Sequence, residues 1–420
     1  MPEQPIPSQH LATLYEITRQ LNSSLDLRQV LNYIMDQVIA VTQAERGFLM
    51  LRDEETSQLT FEVARGIDRT DLEKPKFQVS LTVINQVAET GQSLLTDNAQ
   101  NHFGEAQSVV AMALRSILCV PIKVKGRVIG IIYMDNRIFT DVFDESELDL
   151  MNAFALQAGI AIENARLYQI AVEKGRMQRD LEMGQQIQSN LLPTRLPVLP
   201  GYEVAYYWNS AWEVAGDFYD CFSLDHGAAM GVVVADVSGK GVAAALFMAV
   251  ARSLLRGNAS ASLSPEETLR QANRLIMEDA GSSGMFVTVY YSRFERQGRM
   301  VGVNGGHNQP LLWRASNQTT EWLPKGGRAL GWFDDLPVQP QHYQLQVGDV
   351  VVFYTDGLTE AECLTQEQFG ESRLEAALKE SAGQCDAEGV KDHILAVMAD
   401  FMGEAPPFDD CTLVVVRYIG

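Results

Sequence analysis

Aspartates cluster at the ends of apolar runs in the C-terminal half of the chain, where carboxylates can do chemistry together. Asp236 closes GVVVAD and precedes the turn VSGKG, and Asp356 closes VVVFYTD ahead of Gly357. Asp409 and Asp410 lead into TLVVVRYI, and Asp217 lies in AGDFYD beside a glycine. In antiparallel neighbours the end of one strand lies beside the start of the next, so Asp236, Asp356 and the Asp409–Asp410 pair are expected to meet at one sheet edge. Carboxylates gathered there repel unless cations neutralise them. Oxygen ligands without His or Cys suit hard ions, Mg²⁺ or Mn²⁺. A single Asp-Gly pair is an ordinary turn; the recurrence within one module argues for more. Strand alternation puts Asp217 and Asp220 on opposite faces. One ligand from this motif is therefore expected rather than two; Asp217, which follows a glycine that permits close approach, is preferred, with Asp220 behind the site or at the surface.

Other candidates are weaker. No arginine occurs from 196 to 251, so no Arg clamp is expected near the first two Asp motifs, which leaves Lys240 as the cation in the turn after Asp236. Lys240 also reads as a solvated turn residue, His307 in NGGHN as a proton donor or a turn histidine, and Glu360 as a helix-start or surface acid. The five cysteines, Cys119, Cys221, Cys363, Cys385 and Cys411, form no CxxC pair and read as reduced thiols. There is no GxxxxGK[ST] loop and no kinase signature. The formal net charge of −21 makes nucleic acid and anionic lipid poor partners. The opening MPEQPIPSQH lacks the features of a signal peptide, and no apolar run reaches membrane-spanning length. A cytoplasmic protein is expected.

The elements that must position these groups fall into an α+β plan. Residues 11–22 have helical spacing, and Asp26 can cap a second helix with Val30, Leu31, Ile34, Val38 and Val41 on one face. GFLMLRD and LTFEVARG read as strands, as do ILCVPIKV and VIGIIYM around KGR. Asp144-Glu145-Ser146-Glu147 opens a long helix with a capping box. It buries Leu148, Met151, Ala155, Ala158, Ile162 and Ala165. Residues 1–165 thus form helices flanking an antiparallel sheet. A charged helix continues through 166–196, with Ile170, Met177, Leu181, Gly184, Ile187 and Leu191 near a heptad seam, until the prolines of 193–200 end it. Residues 197–420 alternate strands (EVAYYW, GDFYDCFSL, AMGVVVADV, FVTVYYSRF, MVGVNGG, QPLLWRA, DVVVFYTDG, CTLVVVRYI) with helices at 242–256, 265–280, 371–382 and 387–402.

The first module, with LRSILCVPIKVKGRVIGIIYMDN and a closing AIENARLY, resembles a GAF domain over residues 14–168. Such domains bind a small regulatory ligand or dimerise. Asn136, Arg137, Phe143, Asp144 and Glu145 only partly match the cyclic-nucleotide signature, and Cys119 reads as a buried thiol rather than a bilin attachment site. In the second module, EVAGDFYD, VVADVSGKGVAAALFMA, NGGHNQPLLW, LGWF, VVVFYTDGLTEA and FDDCTLVVV occur in order. Over residues 180–418 the chain resembles the SpoIIE/RsbU-like branch of PPM (type 2C) metal-dependent serine/threonine phosphatases. The resemblance implies an α/β/β/α sandwich of two antiparallel sheets with two metal ions at one edge. It assigns metal binding to Asp217, Asp236, the carbonyl of Val237, Asp356 and Asp409, with Asp410 left as the alternative to Asp409. Ala215 and Cys411 depart from a usual Gly and Met without removing a ligand. The chemistry implied is attack of a metal-bridged water on a phosphoserine or phosphothreonine. The implied substrate is a phosphorylated anti-sigma-factor antagonist in a bacterial partner-switching pathway. A homodimer joined through the GAF module and linker helices is expected. The competing expectation is a non-catalytic dimeric scaffold that only binds a phosphoprotein.

Overall fold

The computed structural model describes residues 26–53, 56–66, 79–96, 116–139, 142–260, 263–280 and 283–420. The expected helix at 11–22 lies outside them. The chain divides into two compact units, Met1–Arg176 and Met177–Gly420.

In the first unit the order is α1 (Leu27–Thr42), β1 (Arg46–Arg52), β2 (Leu59–Arg65), α2 (Leu81–Thr90), β3 (Leu94–Thr96), β4 (Ser116–Val124), β5 (Arg127–Asn136) and the start of α3 (Glu145–Leu191). The strands form one sheet in the order β2-β1-β5-β4-β3. Alternation sends Leu118, Val120, Ile132 and Met134 to the face covered by α1 and α3. Ile117, Cys119, Ile131 and Tyr133 go to the face covered by α2. Asp26 caps α1 by accepting the Gln29 N–H at 3.1 Å. The capping box forms as expected: Asp144 accepts the Ser146 and Glu147 N–H groups, and Glu147 accepts that of Asp144 at 2.9 Å.

Helix α3 is a single 47-residue element. Its last turns belong to the second unit. Gly184 approaches Val214, where a Cβ would stand 3.5 Å from the valine side chain, and buried Gln188 bonds the backbone of Ala215 and Ala245. Of the expected heptad seam, Gly184 therefore meets this unit's own loop, while Ile187 stays 59% exposed.

The second unit continues with β6 (Tyr202–Asn209), β7 (Phe218–Leu224), β8 (Ala229–Val237), α4 (Val242–Asn258), α5 (Pro265–Ala280), β9 (Val287–Glu295) and β10 (Arg299–Gly305). It then runs through β11 (Leu311–Arg314), β12 (Thr319–Trp322), β13 (Gln341–Gln344), β14 (Val350–Tyr354), α6 (Asp356–Thr359), α7 (Gly370–Ser381), α8 (Ala387–Met402) and β15 (Cys411–Tyr418). Two antiparallel five-stranded sheets result, β13-β10-β9-β8-β7 and β12-β11-β14-β15-β6. Strand β14 is apolar throughout because both its faces are buried. Val351 and Phe353 join the core shared with the other sheet, and Val350, Val352 and Tyr354 pack under α7 and α8. Helices α4 and α5 cover the outer face of the first sheet through Phe247, Met248, Leu269 and Ile276. This is a four-layer α/β/β/α sandwich. Among the described residues no helix is long and apolar enough to cross a membrane.

Candidate metal centre

Strand pairing carries the aspartates to one end of the sandwich. Tyr354 of β14 pairs Leu413 of β15, and the Thr355 N–H donates to the Thr412 carbonyl at 3.0 Å. Asp356, the first residue of α6, is thereby set beside Asp409 and Asp410. The approach is close at Gly357, where a Cβ would lie 1.9 Å from the Asp410 carbonyl oxygen; only glycine fits. In the other sheet Phe218 pairs Ala235, which places Asp217 beside Asp236. The Thr412 hydroxyl donates to Asp217 at 3.2 Å and ties the two sheets together at the site. The Val237 carbonyl faces Gly216, where a Cβ would stand 3.1 Å away.

The electrostatics record this crowding. Burial, then the neighbouring Asp236, Asp410 and Asp356, hold Asp217 well above the usual carboxylate range. Burial and the charges of Asp356, Asp409 and Asp410 push Asp236 up to about 7. Asp356 is raised by burial, Glu360 and Asp409, and is partly relieved by Lys240. Glu360 is exposed and follows α6 directly. Lys240 reaches the site, pairing Asp409 at 2.9 Å while its ammonium lies 4.7 Å from the Phe408 ring centroid.

Asp410 is engaged differently from Asp409. One of its oxygens accepts the Ala211 N–H at 2.9 Å, and the other accepts those of Gly216 at 2.8 Å and Asp217 at 3.5 Å. Its carboxylate holds the 210–217 loop. Asp409 is more open; among the described residues it accepts the Asp410 N–H and pairs Lys240.

One expectation narrows and another needs correction. Of the two places offered for Asp220, the surface is excluded: it is 1% exposed and pairs Arg252 at 3.0 Å and Arg256 at 2.9 Å. Arginine does reach the AGDFYD motif, although these two bind Asp220 rather than the aspartate cluster. They lie on α4, a helix whose sequence gives no local sign of the pairing. His307 is buried, with its backbone N–H and carbonyl both held by the Asn304 side chain. Its Nδ1 lies 2.8 Å from the Thr288 hydroxyl, and Thr288 pairs Asp236 across the sheet. Burial brings His307 down to about 4, so its ring is neutral.

In the first unit, the residues of the partial cyclic-nucleotide signature are engaged internally. Asn136 accepts the Ile138 and Phe139 N–H groups, Arg137 pairs Glu45, Phe143 is in the core and Asp144 caps α3. Cys119 is buried, and burial pushes its thiol up. Sequence reading missed the Arg46–Asp135 pair, a buried bidentate contact at 2.8 and 2.6 Å.

The donor set suits hard divalent ions: oxygen only, with Asp217 buried and Asp236, Asp356 and Asp409 partly exposed, and mutually repelling without positive charge. Among the described residues, no group of three or more His, Cys, Asp or Glu side chains is gathered closely enough to hold a metal ion as it stands. Mg²⁺ keeps several waters and needs only one or two direct carboxylates.

Comparison with known proteins agrees with the fold. Residues 26–162 match the GAF domain family, and residues 226–419 match the family described as Stage II sporulation protein E (SpoIIE). The chain thus carries a GAF domain followed by a SpoIIE-family domain with the PPM fold. The latter match includes Asp236, Asp356, Asp409 and Asp410 but begins after Asp217. Protein IcfG of Synechocystis sp. is 29% identical over 58% of this chain and 42% of its own length. Phosphoserine phosphatase RsbU of Bacillus subtilis is 27% identical over 57% of this chain and 70% of its own length. The chain therefore spans less than half of IcfG. The SiaA-PP2C domain of Pseudomonas aeruginosa superposes with a TM-score of 0.52 at 21% identity, covering 59% of this chain and 99% of that domain.

Proposed function

We propose that this chain is a GAF-regulated, metal-dependent phosphoserine/phosphothreonine protein phosphatase. The observation that carries the reading is the meeting of Asp217, Asp236, Asp356 and Asp409 at one end of the sandwich, where neighbouring carboxylates raise the proton affinity of Asp217, Asp236 and Asp356. Asp217, Asp236, the Val237 carbonyl, Asp356 and Asp409 would hold two Mg²⁺ or Mn²⁺ ions. Bound ions supply Lewis acidity, charge neutralisation on the phosphoryl group and a nucleophilic water at neutral pH.

The chain's own residues prepare that site. Thr412 fixes the Asp217 carboxylate, Asp410 orders the loop before it, and His307 and Thr288 brace the strand carrying Asp236. Lys240 sets a positive charge at the rim, where a phosphate dianion must approach. The buried Asp220 pair with Arg252 and Arg256 anchors α4, the helix that follows the Asp236 turn.

RsbU and RsbP of Bacillus subtilis are phosphoserine phosphatases by name. By that likeness the substrate here is a serine-phosphorylated anti-sigma-factor antagonist in a bacterial partner-switching pathway. The five free cysteines fit a cytoplasmic setting. The exposed apolar side chains of α3 support a homodimer through the GAF and linker helices. A small ligand or partner at the GAF domain would act through α3, which both units share.

The test is hydrolysis of p-nitrophenyl phosphate and of the phosphorylated antagonist with Mn²⁺ or Mg²⁺. Chelator should abolish it, as should Asp356→Asn. Full activity in either case would sink the two-ion reading.

A further inference from the structure

An exposed aromatic stack stands beside the carboxylate site, and the mechanism above does not use it. Trp332 is 58% exposed and Phe333 is 43% exposed. Trp332 stacks on Phe286 at 4.4 Å between centroids and an interplanar angle of 22°, and it lies 5.9 Å from Phe333 at 12°. The exposed Arg328 places its guanidinium 4.7 Å from the Phe333 ring centroid.

The stack is built rather than loosely displayed. Leu330 exchanges both backbone hydrogen bonds with Val287, at 2.8 and 2.9 Å. Gly331, at φ +88°, turns the chain outward. Buried Asn273 of α5 brackets that turn, accepting the Gly331 N–H at 2.8 Å and donating to the Phe333 carbonyl at 2.9 Å. An aromatic surface held this way loses little conformational freedom on binding.

Its place relative to the site is fixed by pairing. Phe286 and Ser238 are joined in both directions, from the Ser238 N–H to the Phe286 carbonyl and from the Phe286 N–H to the Ser238 hydroxyl, each at 2.9 Å. Val237, Val287 and Leu330 lie side by side, so Phe286 stands one strand spacing, about 5 Å, and the Leu330 segment two spacings, about 10 Å, from the strand that runs out of Asp236. A phosphoserine at the carboxylates would bring its flanking residues over these rings. Arg328 on the stack and Lys240 at the rim are cations that a phosphoprotein would meet near the acidic centre, and the exposed Asp334 and Asp335 follow Phe333 directly. Exposed patches of this composition mark protein contacts, and Trp and Arg carry a disproportionate share of interface energy.

We propose that the Phe286–Trp332–Phe333 stack is the docking surface for the protein substrate, gripping an apolar segment next to the phosphoserine and so selecting phosphoproteins over small phosphate esters. The inference rests on the phosphatase reading and adds its specificity device.

The experiment compares the full-length chain with Trp332→Ala and Trp332→Phe. The substrates are p-nitrophenyl phosphate and a serine-phosphorylated anti-sigma-factor antagonist. Trp332→Ala should raise KM for the phosphoprotein about tenfold with kcat held, leave hydrolysis of the small ester unchanged, and be largely rescued by Trp332→Phe. Equal losses on both substrates would make Trp332 structural and overturn the proposal, as would no change on either. A shift in sedimentation without a change in KM would make the patch a self-contact and overturn it too. If the wild-type chain hydrolyses only the small ester, docking falls while the metal chemistry stands. If it hydrolyses neither, the phosphatase reading falls and takes this inference with it.

Discussion

At the scale of single residues, the adjacent Asp409 and Asp410 have opposite duties, and their variants should fail in opposite ways. Asp410 accepts three backbone N–H groups from the loop ahead of Asp217. Asp410→Ala leaves those donors buried without a partner and should cost about 3 kcal/mol, read as a lower melting temperature. Asp409 adds charge to a centre already crowded with carboxylates, as its effect on Asp236 and Asp356 records. Asp409→Asn should therefore melt no lower than the parent without metal, while turnover falls on the order of a hundredfold or more. If Asp410→Ala keeps its melting temperature and loses only activity, the division of labour is wrong. His307 gives a pH prediction with a definite sign. Its folded value of about 4 lies below the ordinary histidine value of 6.5, so the unfolded chain binds the proton first. Stability from this group is complete above about pH 6.5 and drains away as pH falls toward 4, by at most about 3 kcal/mol. Chemical denaturation at pH 7 and pH 5 should show a gap that narrows in His307→Gln.

At the scale of elements, the site depends on two backbone junctions rather than on its carboxylates alone. At the α6 start, Gly357→Ala must push the chain off Asp410, because the added Cβ would meet the Asp410 carbonyl at 1.9 Å. Overpacking of about 1–3 kcal/mol should follow. Activity should fall with it, since Asp356 moves away from Asp409; an unchanged kcat would show that the junction does not position the site. The capping box at Asp144 is milder, and Asp144→Ala should cost about 1 kcal/mol by thermal melting without affecting turnover. These junctions also explain what sequence could and could not reveal. Long apolar runs such as VVVFY and TLVVV announce strands buried on both faces, and their ends located the aspartates. The short strands β3, β12 and β13 escaped notice because three or four residues carry no readable period, and TTEW and QHYQ are largely polar. The Asp220 clamp escaped because Arg252 and Arg256 are brought to it only by the packing of α4 on the sheet. Asp410 was inseparable from Asp409 in the sequence, since only the 210–217 loop distinguishes them.

At the scale of the whole molecule, the distribution of apolar surface along α3 argues for a second copy of the chain. Leu156, Ile160, Leu167, Ile170 and Met177 are between 45% and 65% exposed, and their intervals of four, seven, three and seven residues keep them along one side of the helix. An isolated helix gains nothing by showing such a row to water, whereas two helices laid together remove it at roughly 25 cal/mol per Å² of apolar area. The chain's net charge of −21 opposes association at long range, so the apolar row must supply the attraction and added salt should strengthen the dimer by screening. Replacing Leu167 and Ile170 together by Glu puts like charges on both sides of the seam without disturbing either core. Sedimentation should then move from the dimer to the monomer mass while each unit keeps its melting transition. If metal-dependent turnover survives but its response to GAF-directed ligands disappears, the dimer transmits the signal. A parent chain that already sediments as a monomer at micromolar concentration would remove the row's function and leave α3 as a connector within one chain.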